Sequence, residues 1–482
     1  MPRIVRKKLS GFRRRDRISE LPDHLLLNIL VLLPIAEAIR TSMLSRRWRH
    51  VWTRLPLLEF VDDEEPVASF VDLIAGVIRG YVADVDMPDV SIFVDLRYQF
   101  AEAVRIATSA FLAAQRVKSS FGLVLSRDAV NWEWDSEEPP LLMPCFPCVK
   151  ELVIWFQDVE LRMPNTGTFA SLTKLSIYGV YFTDSGNGIG DVVSSRCPCL
   201  RDLELRTIEG LKQFFLHSTS IVKCRLDTVM DLELLHVVAP NLGDINVTKC
   251  FVFVTGPTMM YLQLPELKHF HWEDRGPDKI CPSLPSKLEV LTVIELPPPY
   301  LKRCEGGNSH FTRIMKMFRR IDTLHLDIRI APDGADQKDL IHSTSIPFFG
   351  ELDLAVHKNG HMFGPTILNL LSRRSGVRKM SLQIKADRVA PHIIILPCPS
   401  NCDCHNNENK ITWHYLEWVV MKKFSGTEEE KGLLDSIVRN AKALRKVSII
   451  FSEADVVHPE MFLRTLHKLA PSGCTIDCSY AI

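Results

Sequence analysis

The feature that most constrains the fold is a six-residue pattern, apolar-x-x-apolar-x-apolar, that recurs along most of this 482-residue chain. Its copies include VKELVI, LTKLSI, LRDLEL and LGDINV, and the last copy is LRKVSI. Their central positions are 152, 175, 203, 224, 245, 270, 291, 324, 352, 380 and 447. Apart from the last gap the intervals are 21 to 33 residues, which indicates stacked units that each contribute one short strand.

This spacing is typical of leucine-rich repeats and predicts an α/β solenoid with a parallel sheet. Three strand-like segments, LLEF, SIFVDL and FGLVLS, come before the repeat, and the helical stretches ASFVDLIAGVIRGY and FAEAVRIATSAFLAAQRV lie between them. The alternative is an ordinary α/β domain with short strands.

The repeat also predicts which side chains face outward. Successive side chains of a strand point to opposite faces, so the apolar positions fill the core and the intervening positions line the concave sheet. Those positions are mostly polar and mixed in charge, which favours a protein ligand over a phosphate backbone. We expect the target-binding residues on the central strands, at Asp202, Glu204, Arg206, Lys223, Arg225, Asp227, Asp244 and Asn246.

The N-terminal region is basic, although the whole chain has a net charge of zero. Residues 1–54 contain 13 Lys and Arg against 4 Asp and Glu. Residues 1–15 have few large apolar side chains, and we expect them to form a disordered arm. Within that arm the basic residues 7, 8 and 13–15 fit a nuclear import signal or a plain solvated tail equally well.

Residues 16–56 predict a set of short helices. An apolar stripe at helical spacing follows Pro22, and Pro34 ends that helix. Residues 44–55, placed on one helix, gather Leu44, Trp48 and Trp52 on a single stripe and leave their arginines on the other faces. This arrangement favours a protein contact over nucleic-acid binding. The alternative is that both tryptophans fill the core of their own domain.

The segment DRISELPDHLLLNILVLLPIAEAIRTSMLSRRWRHVW resembles an F-box, in the form found in plant F-box proteins with leucine-rich repeats. The resemblance implies a module that docks on the Skp-type adaptor, and through it on a cullin, in a Skp–cullin–F-box ubiquitin ligase. The residues that it implies form or support the adaptor interface are Leu21, Pro22, Leu25, Ile29, Leu30, Leu33, Leu44, Trp48 and Trp52.

The segment YLEWVVMKKFSGTEEEKGLLDSIVRNAKALRKVSIIF, residues 415–451, resembles the FBD domain of the same plant family. Its pattern predicts a strand, a turn at Gly426, a helix with an acidic first turn, and a final strand. It can close the end of the solenoid as an enlarged repeat. The predicted organisation is therefore a basic arm (1–15), an F-box (16–56), a solenoid (57–397), and an FBD domain with a C-terminal cap (398–482).

The sequence contains few candidates for chemistry. Cys398, Cys402, Cys404 and His405 could bind zinc, but a structural zinc site usually has two spaced pairs of ligands, so reduced cysteines in a loop are favoured. No phosphate-binding glycine motif, nucleophile elbow or HExxH motif occurs. We expect a non-catalytic chain without a cofactor.

The predicted function is substrate recognition in a Skp–cullin–F-box ligase, in which the F-box docks the adaptor and the repeats capture an unidentified protein target. The alternative is a leucine-rich-repeat scaffold that does not assemble into a ligase; a nucleic-acid-binding regulator is a third reading. The sequence leaves open whether a small molecule helps to bind the target. Thirteen scattered cysteines and the lack of a long apolar run predict a nuclear or cytoplasmic protein without a membrane partner.

Overall fold

The structure is a computed structural model in which two compact units are distinguished: residues 1–157 with 164–172, and residues 158–163 with 173–482. It describes residues 18, 20–61, 67–80, 89–95, 100–126, 140–183, 188–295, 313–329, 347–358, 362–364, 367–368, 376–385, 412–452 and 459–480. Among the described residues no helix is long and apolar enough to cross a membrane. The basic arm and the cysteine cluster at 398–405 lie outside the described residues.

The first unit begins with short helices and continues as a small parallel sheet. Its helices are α1 (Asp23–Leu30), α2 (Ile35–Arg40), α3 (Val67–Gly80) and α4 (Phe100–Ala114). Its strands are β1 (Leu57–Val61), β2 (Asp89–Asp95), β3 (Ser120–Ser126), the short β4 (Leu141–Leu142) and the first part of β5 (Glu151–Arg162). Strands β1, β2, β3 and β5 pair in parallel in that order, with α3 and α4 at the predicted helical stretches.

The stripe predicted on one helix over residues 44–55 is broken into 3₁₀ turns. Within the stripe the turns cover Trp48–His50 and Trp52–Arg54, and a further 3₁₀ turn, Thr41–Met43, comes just before it. Hydroxyl groups of Thr41 and Thr53 donate to carbonyl oxygens three residues earlier, at 2.6 and 2.8 Å, which matches the tighter turn. The single-helix prediction was therefore wrong, because local side-chain hydrogen bonds compete with the α-helical pattern.

The second unit contains a long parallel sheet in which sequence order and spatial order agree. Its strands are β6 (Lys174–Tyr181), β7 (Asp202–Ile208), β9 (Lys223–Val229), β11 (Asp244–Thr248), β13 (His269–Glu273), β15 (Lys287–Ile294), β16 (Arg320–Arg329), β17 (Phe348–His357), β18 (Lys379–Lys385), β19 (Trp418–Phe424), β20 (Lys446–Phe451) and β21 (Thr475–Tyr480). Each strand pairs in parallel with the next. The solenoid-like α/β fold is confirmed.

The pairing register keeps equivalent repeat positions in line across the sheet. Leu203 is opposite Cys224, and Cys224 is opposite Ile245. All three are buried, and the residues beside them alternate between buried and at least partly exposed. The side of the sheet with the intervening residues is called the polar face below.

A second parallel sheet, which the repeat pattern did not predict, forms part of the same unit. It consists of β8 (Gln213–His217), β10 (Leu234–Val238), β12 (Met259–Gln263) and β14 (Lys279–Ser283). Its strands alternate with those of the long sheet along the chain, so several repeats contribute one strand to each sheet. A helix, α5 (Gly188–Arg196), precedes β7.

The FBD-like region forms the predicted strand, turn, helix and strand. After β19, Gly426 adopts a φ of 75°, and α6 (Glu428–Asn440) begins with a capping box. The Thr427 hydroxyl accepts the Glu430 N–H at 3.3 Å, and the buried Glu430 carboxylate accepts the Thr427 N–H at 3.1 Å. A further helix, α7 (Pro459–Leu469), leads into β21.

Candidate protein-binding surfaces

The short N-terminal helices expose many large apolar side chains, which we call the N-terminal apolar surface. Leu32 is 82% exposed, Met43 86% and Leu44 68%. The other exposed apolar residues of this surface are Ile18, Leu25, Ile29, Val31 and Leu33. Exposed apolar groups clustered within so few residues mark a site that another molecule covers.

Buried side chains of the same segment hold this surface in place. Trp48 and Trp52 are 2% and 5% exposed, and the Trp52 indole donates to the Arg49 carbonyl oxygen at 3.1 Å. The other buried apolar residues of this segment are Leu26, Leu30, Ile35, Ala38, Val51 and Leu55. The tryptophans therefore support the surface from behind, and their faces are not available to a partner.

A carboxylate links the start of α1 to the turns that follow. Asp23 accepts hydrogen bonds from Arg47 at 2.6 Å and Arg54 at 3.0 Å, and Arg47 also donates to the Leu21 carbonyl oxygen. The hydrogen bond from Arg47 lowers the pKa of Asp23. Arginines that the pattern assigned to outward faces thus serve partly to fix the ends of the segment.

The nine predicted adaptor-binding residues differ in how far they are exposed. Pro22, Leu25, Ile29, Leu33 and Leu44 are exposed and lie on the N-terminal apolar surface or beside it. Leu30, Trp48 and Trp52 are buried, and Leu21 is half-buried. The predicted set omitted Leu32 and Met43, the most exposed apolar side chains of this surface. The apolar run at 29–35 was a signal for Leu32, and Met43 lies outside that run.

A groove of about 480 Å³ lies along one side of this surface. Residues 30–36, 55–57, Glu59, Val61 and Leu73 line it. Apart from Glu59 these side chains are apolar, so the groove extends the N-terminal apolar surface toward β1 and α3.

The predicted target-binding residues come together on three adjacent strands of the polar face. In register, Asp202 is opposite Lys223, which is opposite Asp244. The remaining five, Glu204, Arg206, Arg225, Asp227 and Asn246, lie on the next two rows of the same strands. None of the eight is buried, so the register brings the whole predicted set to one surface.

Several of these charges already have partners within the polar face. Arg206 contacts Asp227 at 3.1 Å and Glu204 at 3.5 Å, and the Tyr178 hydroxyl donates to Glu204 at 3.0 Å. Within the part of the chain that the structure describes, the exposed Lys223 and Arg225 have no carboxylate within 4.0 Å. These two cations are the groups most available to an incoming ligand.

A second charged cluster lies farther along the polar face, on β16 to β19. Asp353 contacts His325 at 3.2 Å and Lys422 at 2.9 Å. The hydrogen bond with His325, together with Lys422, holds the pKa of Asp353 far below its ordinary value. Asp327 forms a similar group with His357 at 3.1 Å and Lys385.

The second sheet exposes a row of aromatic rings. His236 stacks on Tyr261 with centroids 4.5 Å apart, and its ring lies 5.0 Å from His217 and 5.5 Å from Phe215. Burial, followed by the neighbouring His217, lowers the pKa of His236. This row was not predicted from the sequence, because the second sheet itself was not predicted.

Within the described residues, no group of three or more His, Cys, Asp or Glu side chains is placed to hold a metal ion. The zinc candidates Cys398, Cys402, Cys404 and His405 lie outside those residues, so zinc binding there stays a prediction from the sequence. The described surfaces offer apolar and charged contact areas, which suit binding of other proteins.

Comparisons with known proteins identify both ends of the chain. The F-box domain family model matches residues 18–60, and the FBD family model matches residues 413–449. The chain carries an F-box and an FBD domain. The N-terminal apolar surface belongs to the F-box, and β19, α6 and most of β20 belong to the FBD domain.

Relatives in Arabidopsis thaliana have the same combination. An F-box/FBD/LRR-repeat protein is 31% identical over 196 residues, which are 41% of this chain and 40% of that protein. A second is 60% identical over 52 residues, 11% of this chain and 12% of that protein. An FBD-associated F-box protein is 23% identical over 472 residues, 90% of this chain and 92% of that protein.

The resemblance to plant F-box/FBD/leucine-rich-repeat proteins is confirmed. The chain spans about half of the length of most of the curated relatives that it matches. F-box proteins in general are non-catalytic substrate adaptors of Skp–cullin–F-box ubiquitin ligases, and an F-box in general binds a Skp-type adaptor.

Proposed function

We propose that this chain is the substrate-recognition subunit of a Skp–cullin–F-box ubiquitin ligase. The observation that carries the proposal is the N-terminal apolar surface, where Leu32, Met43 and Leu44 are more than two-thirds exposed above a core containing Trp48 and Trp52. Burial of that surface by the Skp-type adaptor joins the chain to a cullin. Co-purification with the purified adaptor tests this step and distinguishes the ligase subunit from a repeat scaffold that does not assemble.

The mechanism is proximity rather than chemistry on this chain. A target held on the second unit stays near the conjugate that other subunits of the ligase activate, which raises the effective concentration of its lysines. This role needs a rigid, extended and specific contact surface. The long parallel sheet supplies one. Its apolar positions must stay buried to keep the fold, whereas the side chains of the polar face can differ without unfolding it.

The polar face of β7, β9 and β11 is the proposed site of target capture. It combines two cations, Lys223 and Arg225, that form no ion pair within the described residues, with carboxylates in the adjacent register positions. Exposed charges of this kind contribute only about 1 kcal/mol or less each, so they set specificity and orientation more than affinity. One alanine substitution on this face should therefore have little effect.

Reversing the acidic residues of this face together tests the assignment. The variant Asp202→Lys, Glu204→Lys and Asp227→Lys should lose the target, while adaptor binding and the melting temperature stay close to those of the wild type. Proximity labelling in cells compares the proteins near each version. Recovery of the same neighbours at the same yield by the reversed variant would place the target elsewhere, on the loops or the FBD domain.

The proposed location is the nucleus, the cytoplasm or both. The support comes from the basic residues of the N-terminal arm and from the thirteen scattered cysteines noted above.

A further inference from the structure

The FBD domain places a tryptophan at the centre of a charged row on the polar face. Trp418, on β19, is opposite Lys379 of β18 and Lys446 of β20. Their ammonium groups lie 4.8 and 5.2 Å from the centroid of the indole ring, one from each neighbouring strand. A ring between two cations is a cation–π arrangement, in which the negative face of the ring offsets part of the repulsion.

The orientation of the indole is fixed by its neighbours. Its N–H group donates to the Ser448 hydroxyl at 3.3 Å, and 36% of the side chain is exposed. A tryptophan that is held in one orientation loses little freedom when a partner packs on it. Tryptophans of this kind are common among the residues that dominate binding energy at protein interfaces.

The charges around Trp418 are arranged in a defined order. Lys379 contacts Glu351 at 3.3 Å, and Lys446 contacts Asp477 at 2.8 Å, so each lysine has a carboxylate on the side away from the ring. These four side chains are 39% to 60% exposed. The row is therefore apolar at its centre, positive next to the centre and negative at both ends.

The residues that precede Lys379, Trp418 and Lys446 add to the net positive charge of this surface. Arg378 precedes Lys379, and Arg445 precedes Lys446, whereas Glu417 precedes Trp418. All three are exposed. Where β18, β19 and β20 begin, six adjacent residues thus carry four cations, one carboxylate and one aromatic ring.

We propose that this surface, the FBD tryptophan platform, binds an acidic protein segment with a large apolar side chain between its acidic residues. The apolar side chain packs on the Trp418 ring, and the acidic side chains contact Lys379 and Lys446. Both ammonium groups lie near one centroid, so they are no more than about 10 Å apart. In an extended segment only alternate side chains share a face, so the acidic residues lie two positions before and two positions after the apolar residue. Their Cα atoms are then about 13 Å apart, and the flexible lysine and glutamate side chains span the remaining distance.

The carboxylates of the platform favour a protein over a nucleic acid. A phosphate backbone carries a negative charge at every nucleotide and would approach Glu351, Glu417 and Asp477 as well as the lysines. A protein segment can place its acidic residues only at the cations and leave neutral or basic residues at the two ends. The platform therefore selects a pattern of charge and not a total charge.

This inference deepens the proposed function, because it assigns a chemical class to part of the target. The FBD tryptophan platform is a second contact site for the target. It is separate from the site on the central strands around Lys223, because it has its own anchor residue, Trp418.

A display library of random nine-residue peptides tests the platform on the purified full-length chain with its adaptor. The wild type should enrich sequences in which two or more Asp or Glu residues lie on both sides of a large apolar residue. Trp418→Ala should weaken the best of these peptides at least tenfold, and Trp418→Phe, which keeps a ring, should weaken them less. The double variant Lys379→Glu with Lys446→Glu should abolish the enrichment.

Two controls use residues outside the platform. Trp155 is 49% exposed on another strand, and Lys442 is an exposed lysine of the FBD domain. Trp155→Ala and Lys442→Glu should leave peptide binding unchanged. Melting temperatures near that of the wild type for all variants establish that the losses are local.

Enrichment of basic or purely apolar peptides, or equal binding by wild type and Trp418→Ala, would overturn the proposal. Binding of a fluorescent 20-nucleotide single strand that depends on Trp418 would overturn it in favour of a nucleic acid. Adaptor binding, measured on the same preparations, reports on the ligase role separately. Binding of acidic peptides without binding of the adaptor would contradict the ligase role and support the platform.

Discussion

Asp274 is a buried carboxylate that organises a turn of the second unit. Only 8% of the residue is exposed, and its oxygens accept N–H groups of Cys250, Phe251 and Arg275, the last two at 2.8 and 2.7 Å. Burial raises the pKa of this carboxyl to about 7, against the hydrogen bonds, which lower it. Asp274 therefore titrates near neutral pH although nothing in the sequence sets it apart.

We predict that Asp274→Asn destabilises the chain in a pH-dependent way. The amide keeps one acceptor and meets a backbone N–H with its NH₂ group, which costs about 1–3 kcal/mol. A raised carboxyl pKa stabilises the folded state fully below about pH 4, and that stabilisation is lost as the pH rises toward 7. Denaturant unfolding should show the wild-type advantage shrinking by roughly 2 kcal/mol between pH 5 and pH 8. A constant difference across this range would contradict the assignment.

Single residues also show where the sequence was a good guide. The stripe on residues 44–55 identified Trp48 and Trp52 as the main apolar side chains of the F-box, and both are buried. The same stripe assigned Leu44 to their side, yet Leu44 is 68% exposed, because 3₁₀ turns change the angle between successive residues. Periodicity predicts a face only when the local geometry is known.

At the scale of elements, five strands of the long sheet end in a common way. Thr207, Thr228, Lys249 and Lys423 have φ between 51° and 56°, and Gly179 occupies the equivalent position with φ 65°. In each case the next residue is buried: Val180, Ile208, Val229, Cys250 and Phe424. A left-handed residue after the last polar position thus turns the chain inward at these five strands, and at four of them the residue is not glycine and is therefore strained.

Opposite substitutions at this position should have opposite effects. Thr207→Gly should raise the free energy of unfolding by up to about 1 kcal/mol, because glycine adopts positive φ without steric cost. Gly179→Ala should lower it by about 1 kcal/mol for the converse reason. Thermal unfolding of the two variants beside the wild type measures both shifts. Shifts of the same sign would show that packing, and not the left-handed conformation, controls these positions.

The elements differ in how well the sequence predicts them. All eleven central positions of the repeat pattern lie in strands of the predicted kind, because one buried ladder imposes one pattern on every unit. The second sheet was missed, since short strands such as QFFLH and LLHVV are also compatible with a buried loop or a helix turn. The capping box at Thr427 and Glu430 has a recognisable sequence signal, T-x-x-E. It was not predicted, because three consecutive glutamates follow Thr427 and were interpreted only as an acidic first turn.

At the scale of the whole molecule, the basic N-terminal arm is the one strong departure from charge balance. Deleting residues 2–15 should reduce the nuclear fraction of a fluorescent fusion if the arm is an import signal, and it should leave adaptor binding intact. Microscopy of the two fusions in the same cells makes the comparison. An unchanged distribution would favour a plain solvated tail.

The candidate surfaces could be predicted to different degrees for a physical reason. The predicted adaptor-binding residues lie in one short segment, which the F-box family model matches as a whole. The FBD tryptophan platform depends on the register between β18, β19 and β20, which join residues nearly 70 positions apart in the sequence. Long-range register of that kind follows from the folded sheet and not from any local pattern.

Assembly with the adaptor tests the central claim most directly. The chain, the Skp-type adaptor and the N-terminal part of a cullin are mixed, and the mass of the complex is measured. The wild type should form a 1:1:1 complex, and Leu44→Asp combined with Leu32→Asp should not, because charges then replace apolar side chains at the interface. Leu112→Asp, at a 65% exposed position of α4, is the matched control and should assemble normally. Full assembly by the double variant, or no assembly by a folded wild type, would contradict the account.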